Sequence, residues 1–228
     1  MTKCPLIIAH RGFSSLHPEN TLASVHAALQ LGVDFVEIDV QETGDGQLIV
    51  FHDYRLKRIC GVRGRVRDRT LAEIKRLNHQ VPTLTEVLHA CRGRARVLIE
   101  IKSADPEKVA AAITESRMEQ EVIVFSLSMP RMKQFAAANP RIPRFGLFAR
   151  NLRFAVARLQ SSVTMEGLGL SRRLVTSPRV VRRIHQRGWK LFVWTVNRES
   201  EMRKLAAWGV DGLITNYPDR AKSCLARP

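Results

Sequence analysis

Nine short apolar runs, most of them separated by stretches of helical pattern, constrain this chain more than any other feature of its sequence. They fall at residues 6–9, 35–40, 48–51, 97–101, 122–125, 145–148, 168–170, 191–196 and 212–215. The stretches between them carry helix start and stop signals. Asn20 can cap a helix bearing Leu22, Val25 and Leu29, which Gly32 would end. Thr70 with Glu73, and Thr83 with Glu86, have capping-box spacing. Asp105-Pro106 and Ser177-Pro178 place a capping side chain before a proline at the first helical position. Gly188 and Gly209 stand where helices close. Strands alternating with helices imply a parallel sheet covered by helices.

One spacing breaks the alternation and fixes the strand count. Only Gln41-Glu42-Thr43-Gly44-Asp45-Gly46-Gln47 separates the second run from the third. A parallel crossover needs about a dozen residues, so the third run must fold back antiparallel, through the hairpin-turn chemistry of Gly44-Asp45-Gly46. Eight parallel strands remain. The expected fold is therefore α/β: a single (β/α)8 TIM barrel with a β-hairpin extension after strand two. A length of 228 residues suits one such domain, spanning 1–228, without a linker or internal repeat. An open doubly wound sheet is the alternative, disfavoured because no glycine-rich phosphate loop follows the first strand.

Barrels carry their active sites at the C-terminal ends of their strands. His10-Arg11 ends the first strand, Glu37 and Asp39 lie on the second, and His52-Asp53 ends the hairpin return. Glu100 and Lys102 end the third parallel strand, with Trp194 and Asn197 at the end of the seventh. Glu37 and Asp39, two apart on a strand, face the same way. Like charges this close need a proton or cation between them, and Glu100 can add a third oxygen from the next strand. An all-oxygen set suits a hard divalent metal, Mg²⁺ or Ca²⁺. For Glu-x-Asp alone, ordinary surface acids would be the better explanation; the accompanying His10, Arg11, His52 and Lys102 weaken it. His10 and His52 are candidate acid and base, although a lone strand-end histidine is more often structural. Arg11 and Lys102 are candidate phosphate binders, with buried pairing to Glu37 or Glu100 as their other role. Trp194 either packs in the core or walls the substrate pocket. His17, His26, His79, His89 and His185 lack such neighbours.

These residues carry a resemblance. The segments AHRG, PENTLAS, DFVEIDVQ, DGQLIVFHD, VPTLTEVL, LIEIK, FVWTVN and WGVDGLITNYPD occur in this order almost end to end. Together they resemble the glycerophosphodiester phosphodiesterase family. The resemblance implies a barrel, a divalent metal, and hydrolysis of glycerophosphodiesters to glycerol 3-phosphate and an alcohol. It implies His10 and His52 as the acid/base pair and Arg11 as a phosphate ligand. It further implies Glu37, Asp39 and Glu100 as metal ligands, with Lys102 as the basic residue that follows. Three segments depart from the common pattern: Arg58-Ile59-Cys60-Gly61-Val62 after the second histidine, the short Asn78-His79-Gln80-Val81, and Gly169-Leu170-Ser171 in place of a strand-six histidine. They bear on substrate contacts rather than on the chemistry.

The formal charge of +16 comes mostly from 28 arginines against 9 lysines. Such a field draws anionic partners. A nucleic-acid surface is not expected, because the chain has two tyrosines and no aromatics interleaved with its basic runs. Residues 55–76 concentrate nine basic residues against Asp68 and Glu73; the first part is read as an arginine-rich loop near the pocket mouth, followed by a helix over Thr70–Leu77. The scattered Cys4, Cys60, Cys91 and Cys224 suggest free thiols in a reducing compartment, and the start Met1-Thr2-Lys3-Cys4-Pro5 suggests no secretory signal. The expected location is the cytoplasm, and the expected partner is a small-molecule glycerophosphodiester, with weak contact to anionic membrane surfaces left open. Two rivals stand: a lysophospholipase D acting on lysophospholipids, and a non-catalytic barrel binding anionic lipid head groups. Because residues 53–82 leave little chain for a lid, small water-soluble diesters are expected to outrank lysophospholipids.

Overall fold

A computed structural model describes residues 4–150 and 164–226. Each apolar run forms a strand: β1 (Leu6–His10), β2 (Phe35–Glu42), β3 (Leu48–Val50), β4 (Arg96–Ile101), β5 (Val122–Ser126), β6 (Arg144–Phe148), β7 (Gly167–Ser171), β8 (Lys190–Trp194) and β9 (Gly212–Thr215). Pairings run β1-β9-β8-β7-β6-β5-β4-β2, and β2 closes the ring onto β1. All of these pairs are parallel, whereas β3 lies antiparallel on the end of β2 through Val40–Val50 and Glu42–Leu48. The architecture is the closed eight-stranded (β/α)8 barrel with the hairpin extension after strand two.

The helices are α1 (Leu22–Leu31), α2 (Lys57–Cys60), α3 (Leu71–Leu77), α4 (Leu84–Cys91), α5 (Pro106–Glu115), α6 (Met129–Ala138), α7 (Pro178–His185), α8 (Glu199–Ala207) and α9 (Pro218–Leu225). Thr70 and Thr83 form full capping boxes with Glu73 and Glu86, and Asp105 accepts the Glu107 N–H at 2.9 Å. Two caps differ from expectation. Thr21, not Asn20, caps α1, because its hydroxyl and that of Ser24 complete a capping box while Asn20 turns inward to Asp39. Ser177 precedes Pro178 at the start of α7, but its side chain makes no cap hydrogen bond.

Strand alternation divides the core. Outward residues such as Val36, Ile38 and Val40 pack against the helices, in a layer with Val25, Leu88 and Ile113. Inward residues Ile8, Phe35, Leu98, Phe125, Phe145, Leu147, Phe192 and Ile214 fill the barrel. The large rings need small partners: a Cβ on Gly167 would stand 2.6 Å from the Phe145 ring, and one on Gly212 would stand 2.7 Å from Phe192. This apolar plug is the floor on which the polar site sits.

The helix expected over Thr70–Leu77 forms, and the arginine-rich stretch before it carries more structure than a plain loop. The whole segment folds as α2, a 3-10 turn (Val66–Asp68) and α3 around its own small core of Ile49, Phe51, Leu56, Val66, Ile74 and Val81. Charge counting obscured this, because only every few residues in the segment is apolar. No helix among the described residues is long and apolar enough to cross a membrane.

Candidate active site

Strand register assembles the site. His10 on β1 lies beside Glu37 on β2, and Asp39 lies beside Glu100 on β4. Neighbouring strands stand about 4.8 Å apart, so inward side chains at matched positions must touch. Oxygens of Glu37, Asp39 and Glu100 come within 4.8 Å of one another, and all three residues are buried. The predicted site residues His10, Arg11, Glu37, His52, Glu100, Lys102 and Trp194 line one cavity of about 190 Å³ at the C-terminal ends of the strands. Asp39 sits outside that lining, covered by Arg11 and Lys102.

The charge balance within the cluster is tight. Arg11 Nε stands 3.1 Å from Asp39 Oδ2, and Arg11 Nη1 donates to Glu19 Oε1 at 3.0 Å. Lys102 Nζ lies 2.9 Å from Glu100 and 3.3 Å from Asp39. Both cations therefore fill the neutralising role, with Asp39 as their shared partner. Burial opposes ionisation of Asp39, yet Arg11 and Lys102 outweigh it and hold its pKa below the ordinary value. Burial, then the Asp39 charge, pushes Glu37 well above the carboxylate range and raises Glu100 to about 7. Two carboxylates short of countercharge, an all-oxygen donor set and convergence to 4.8 Å fit a hard divalent cation.

Each candidate histidine is tied at one nitrogen. His10 Nδ1 lies 2.6 Å from Asn216 Oδ1, and His52 Nδ1 lies 2.6 Å from Asp53 Oδ1. A carboxylate only accepts, so His52 carries its proton on Nδ1 toward Asp53; the amide oxygen asks the same of His10. Nε2 is then the free nitrogen of each ring. Burial, and next the Arg11 charge, lowers the His10 pKa to about 4, against the upward pull of the Asn216 hydrogen bond. The His10 ring is thus uncharged near neutral pH in this arrangement.

Several supporting contacts escaped sequence reasoning, including those of Asn20, read as a helix cap, and of Asn197, placed at a strand end without a partner. Asn20 donates to Asp39 Oδ2 at 2.9 Å. Arg58 bridges Asp53 and Glu19, making a continuous chain from His52 to Arg11. Asn197 accepts from the Asn216 N–H at 3.0 Å and from the Thr215 hydroxyl, and so holds the residue that orients His10. Asn20, Glu19 and Asn216 fall inside the segments that carried the resemblance, but amides and acids in loops have no distinguishing chemistry until their partners are known. The Arg11 N–H donates to Glu37 Oε2 at 3.0 Å, from a backbone with φ of 58°. Trp194 places a buried indole N–H, lacking any partner among the described residues, in the wall of the cavity.

Residues 10–220 match the family described as the glycerophosphoryl diester phosphodiesterase family. The chain belongs to this family. Members of the glycerophosphoryl diester phosphodiesterase family are phosphoric diester hydrolases. A glycerophosphodiester phosphodiesterase of Caldanaerobacter subterraneus is 35% identical, over 94% of this chain and 95% of the relative. Another, from Bacillus subtilis, is 34% identical over 94% of this chain and 84% of its own. Among solved structures, an Oleispira antarctica phosphodiesterase in complex with the product sn-glycerol-3-phosphate superposes with a TM-score of 0.86 at 30% identity, covering 97% of each chain.

Proposed function

We propose that this chain hydrolyses small glycerophosphodiesters to glycerol 3-phosphate and an alcohol, using a divalent cation, Mg²⁺ or Ca²⁺, held by Glu37, Asp39 and Glu100. One observation carries the reading: two imidazoles, each tied back at Nδ1, line one cavity with Glu37 and Glu100, two members of a buried triad of carboxylates. The product named in the complex of the Oleispira relative supports the substrate class.

The residues divide the work as follows. Arg11 and Lys102, on the cavity wall, bind the phosphate oxygens. A bound cation would supply further charge stabilisation and polarise the phosphoryl group. Water attacks phosphorus, and its proton passes to His10 Nε2 as the new P–O bond forms. The P–O bond to the alcohol breaks, and the departing oxygen takes the proton from His52 Nε2. Asp53, in contact with Nδ1 at 2.6 Å, orients the His52 ring for this donation. Alternatively, the neighbouring glycerol hydroxyl attacks first, and water then opens the cyclic phosphate with the histidine roles reversed. Trp194 closes one side and offers its unpartnered indole N–H to the substrate.

Coupled detection of released glycerol 3-phosphate tests this across a panel of head groups, with and without added Mg²⁺ or Ca²⁺. Metal-dependent release from glycerophosphocholine and glycerophosphoethanolamine is expected; no release from any member of the panel sinks the proposal. A second reading, lysophospholipid hydrolysis, draws on the apolar wall of Phe125, Leu127, Leu147 and Ile214 and on Leu127 and Leu16, which are 56% and 64% exposed. A strong preference for one lysophospholipid over the water-soluble diesters would put that reading first.

A further inference from the structure

A cavity of about 340 Å³, larger than the catalytic one, opens beside the site. Its wall contains Arg55, Arg65, Arg67 and Arg131, with Gln41 and Ser103, and no acidic residue. Elsewhere in the same segment Arg58 pairs with Glu19 and Asp53, Arg69 with Glu73 and Lys75 with Glu86, while Lys57, Arg63 and Arg76 enter no ion pair among the described residues and lie outside this wall. Among the described residues, Arg55, Arg65 and Arg131 enter no ion pair, and Arg67 reaches only the exposed Asp68 at 3.9 Å.

The backbone forces two of these charges together. Arg55 and Arg65 face each other across an isolated antiparallel bridge. The flanking bonds, Leu56 N–H to Gly64 C=O and Val66 N–H to Tyr54 C=O, make this the non-hydrogen-bonded kind of pair. In such a pair the Cα atoms are about 4.5 Å apart and the side chains leave on the same face. Like charges directly opposite are destabilising unless a counter-charge lies between them. Arg131, from the first turn of α6, brings a guanidinium from a separate element to the same space.

The cavity neighbours the active site through residues adjacent in the chain, Ser103 beside Lys102 and Tyr54 close to His52. Gln41 lies two residues beyond Asp39 on β2, about 7 Å further along the strand. Ser103 follows Lys102 and donates to Gln41 Oε1 at 3.1 Å. Gln41 in turn donates to the carbonyls of Phe51 and Asp53, which flank His52. This proximity places the four arginines on the side of the site where the alcohol of a diester held by Arg11 and Lys102 would have to reach.

We propose that this cavity is a second anion subsite, which takes a phosphomonoester carried on the leaving alcohol of the diester. The proposal rests on the hydrolase reading above and names its substrate class. Guanidinium groups from several directions suit the three oxygens of a terminal phosphate, which a cationic leaving alcohol such as choline lacks.

Matched substrates test it: glycerophosphodiesters of straight-chain diols two to six carbons long, each with and without a phosphate on the far hydroxyl. Glycerol 3-phosphate release gives kcat/KM for each, and the phosphorylated member should be preferred at one or more chain lengths. The double variant Arg55→Gln, Arg65→Gln should lower that preference by about tenfold to a hundredfold, the range for lost bonds to a charged group. Arg63→Gln and Lys57→Gln, in the same segment but outside the cavity wall, should not lower it. Equal losses in all variants would mean a diffuse field and overturn the proposal, as would no preference at any length. Calorimetric binding of 1,3-propanediol bisphosphate gives a readout without turnover, with inorganic phosphate as the comparison ligand. Tighter binding of the bisphosphate, lost in the double variant, is expected; unchanged affinity in that variant overturns the proposal. Failure of every diester to react, with such binding intact, would instead count against the hydrolase reading alone.

Discussion

Asn216 Oδ1 lies 2.6 Å from His10 Nδ1, although 206 residues separate the two in the chain. The contact fixes the tautomer that leaves His10 Nε2 free. Asn216→Ala should therefore lower kcat on the order of tenfold to a hundredfold, as for other partners that orient functional imidazoles. KM should change little, because no substrate contact is removed. A rise in KM with kcat intact would make Asn216 a binding group instead.

The two histidines should be needed for turnover and not for folding. His10→Ala and His52→Ala are each expected to lose on the order of 10²–10⁴ in rate, with far-UV circular dichroism unchanged. Wild-type rates in both folded variants would remove them from the chemistry.

Metal binding should stabilise the fold as well as support activity. Glu37, Asp39 and Glu100 crowd three acids into one buried space, so a divalent cation should raise the melting temperature, and exhaustive chelation should abolish turnover. Glu37→Gln and Asp39→Asn should weaken metal affinity in calorimetric titration. Full activity after chelation, with metal loss confirmed by elemental analysis, would contradict this.

Acid sensitivity should depend on Arg58. Hydrogen bonds from Arg58, together with the weaker contribution of His52, depress the Asp53 pKa from 3.8 to about 2. Between those values the unfolded chain binds more protons at this position than the folded one, so stability falls as pH drops. The contribution is fully present above about pH 4 and is lost as pH falls through about 2. Arg58→Gln should flatten the stability profile across that window, measured by urea unfolding at stepped pH. The exposure of Arg58 keeps the effect modest.

Salt should act mainly on substrate capture. The basic segment at the mouth remains net positive after its internal pairs are counted, and the screening length falls from about 10 Å at 0.1 M to about 3 Å at 1 M. Stopped assays over that range should show kcat/KM falling more than kcat. A salt-independent kcat/KM would leave the arginines as solvated surface.

The barrel could be read from the sequence because its determinants are local: run length, cap spacing, and a hairpin too short for a crossover. The inward direction of Glu37 and Asp39 followed from strand alternation alone. What could not be read depends on contacts between distant segments. Asn20 has the chemistry of an N-cap, and only the proximity of Asp39 turns it inward while Thr21 takes the cap. The segment from Arg55 to Arg76 looks like solvated charge, yet Leu56, Val66 and Ile74 close a core under it. The sequence points buried pairing of Arg11 and Lys102 toward Glu37 or Glu100, and only the packed geometry makes Asp39 their shared partner while it stays within the carboxylate triad.

Closure of the ring through β1 and β9 has a consequence for biosynthesis. The strand that emerges first from the ribosome finds one of its two neighbours only in the strand made last. Until β9 is released, His10 lacks its Asn216 support and β1 keeps an open edge. A nascent barrel would therefore stay catalytically silent until β9 joins the ring, and activity becomes a property of the sealed barrel, withheld from chains cut short before β9.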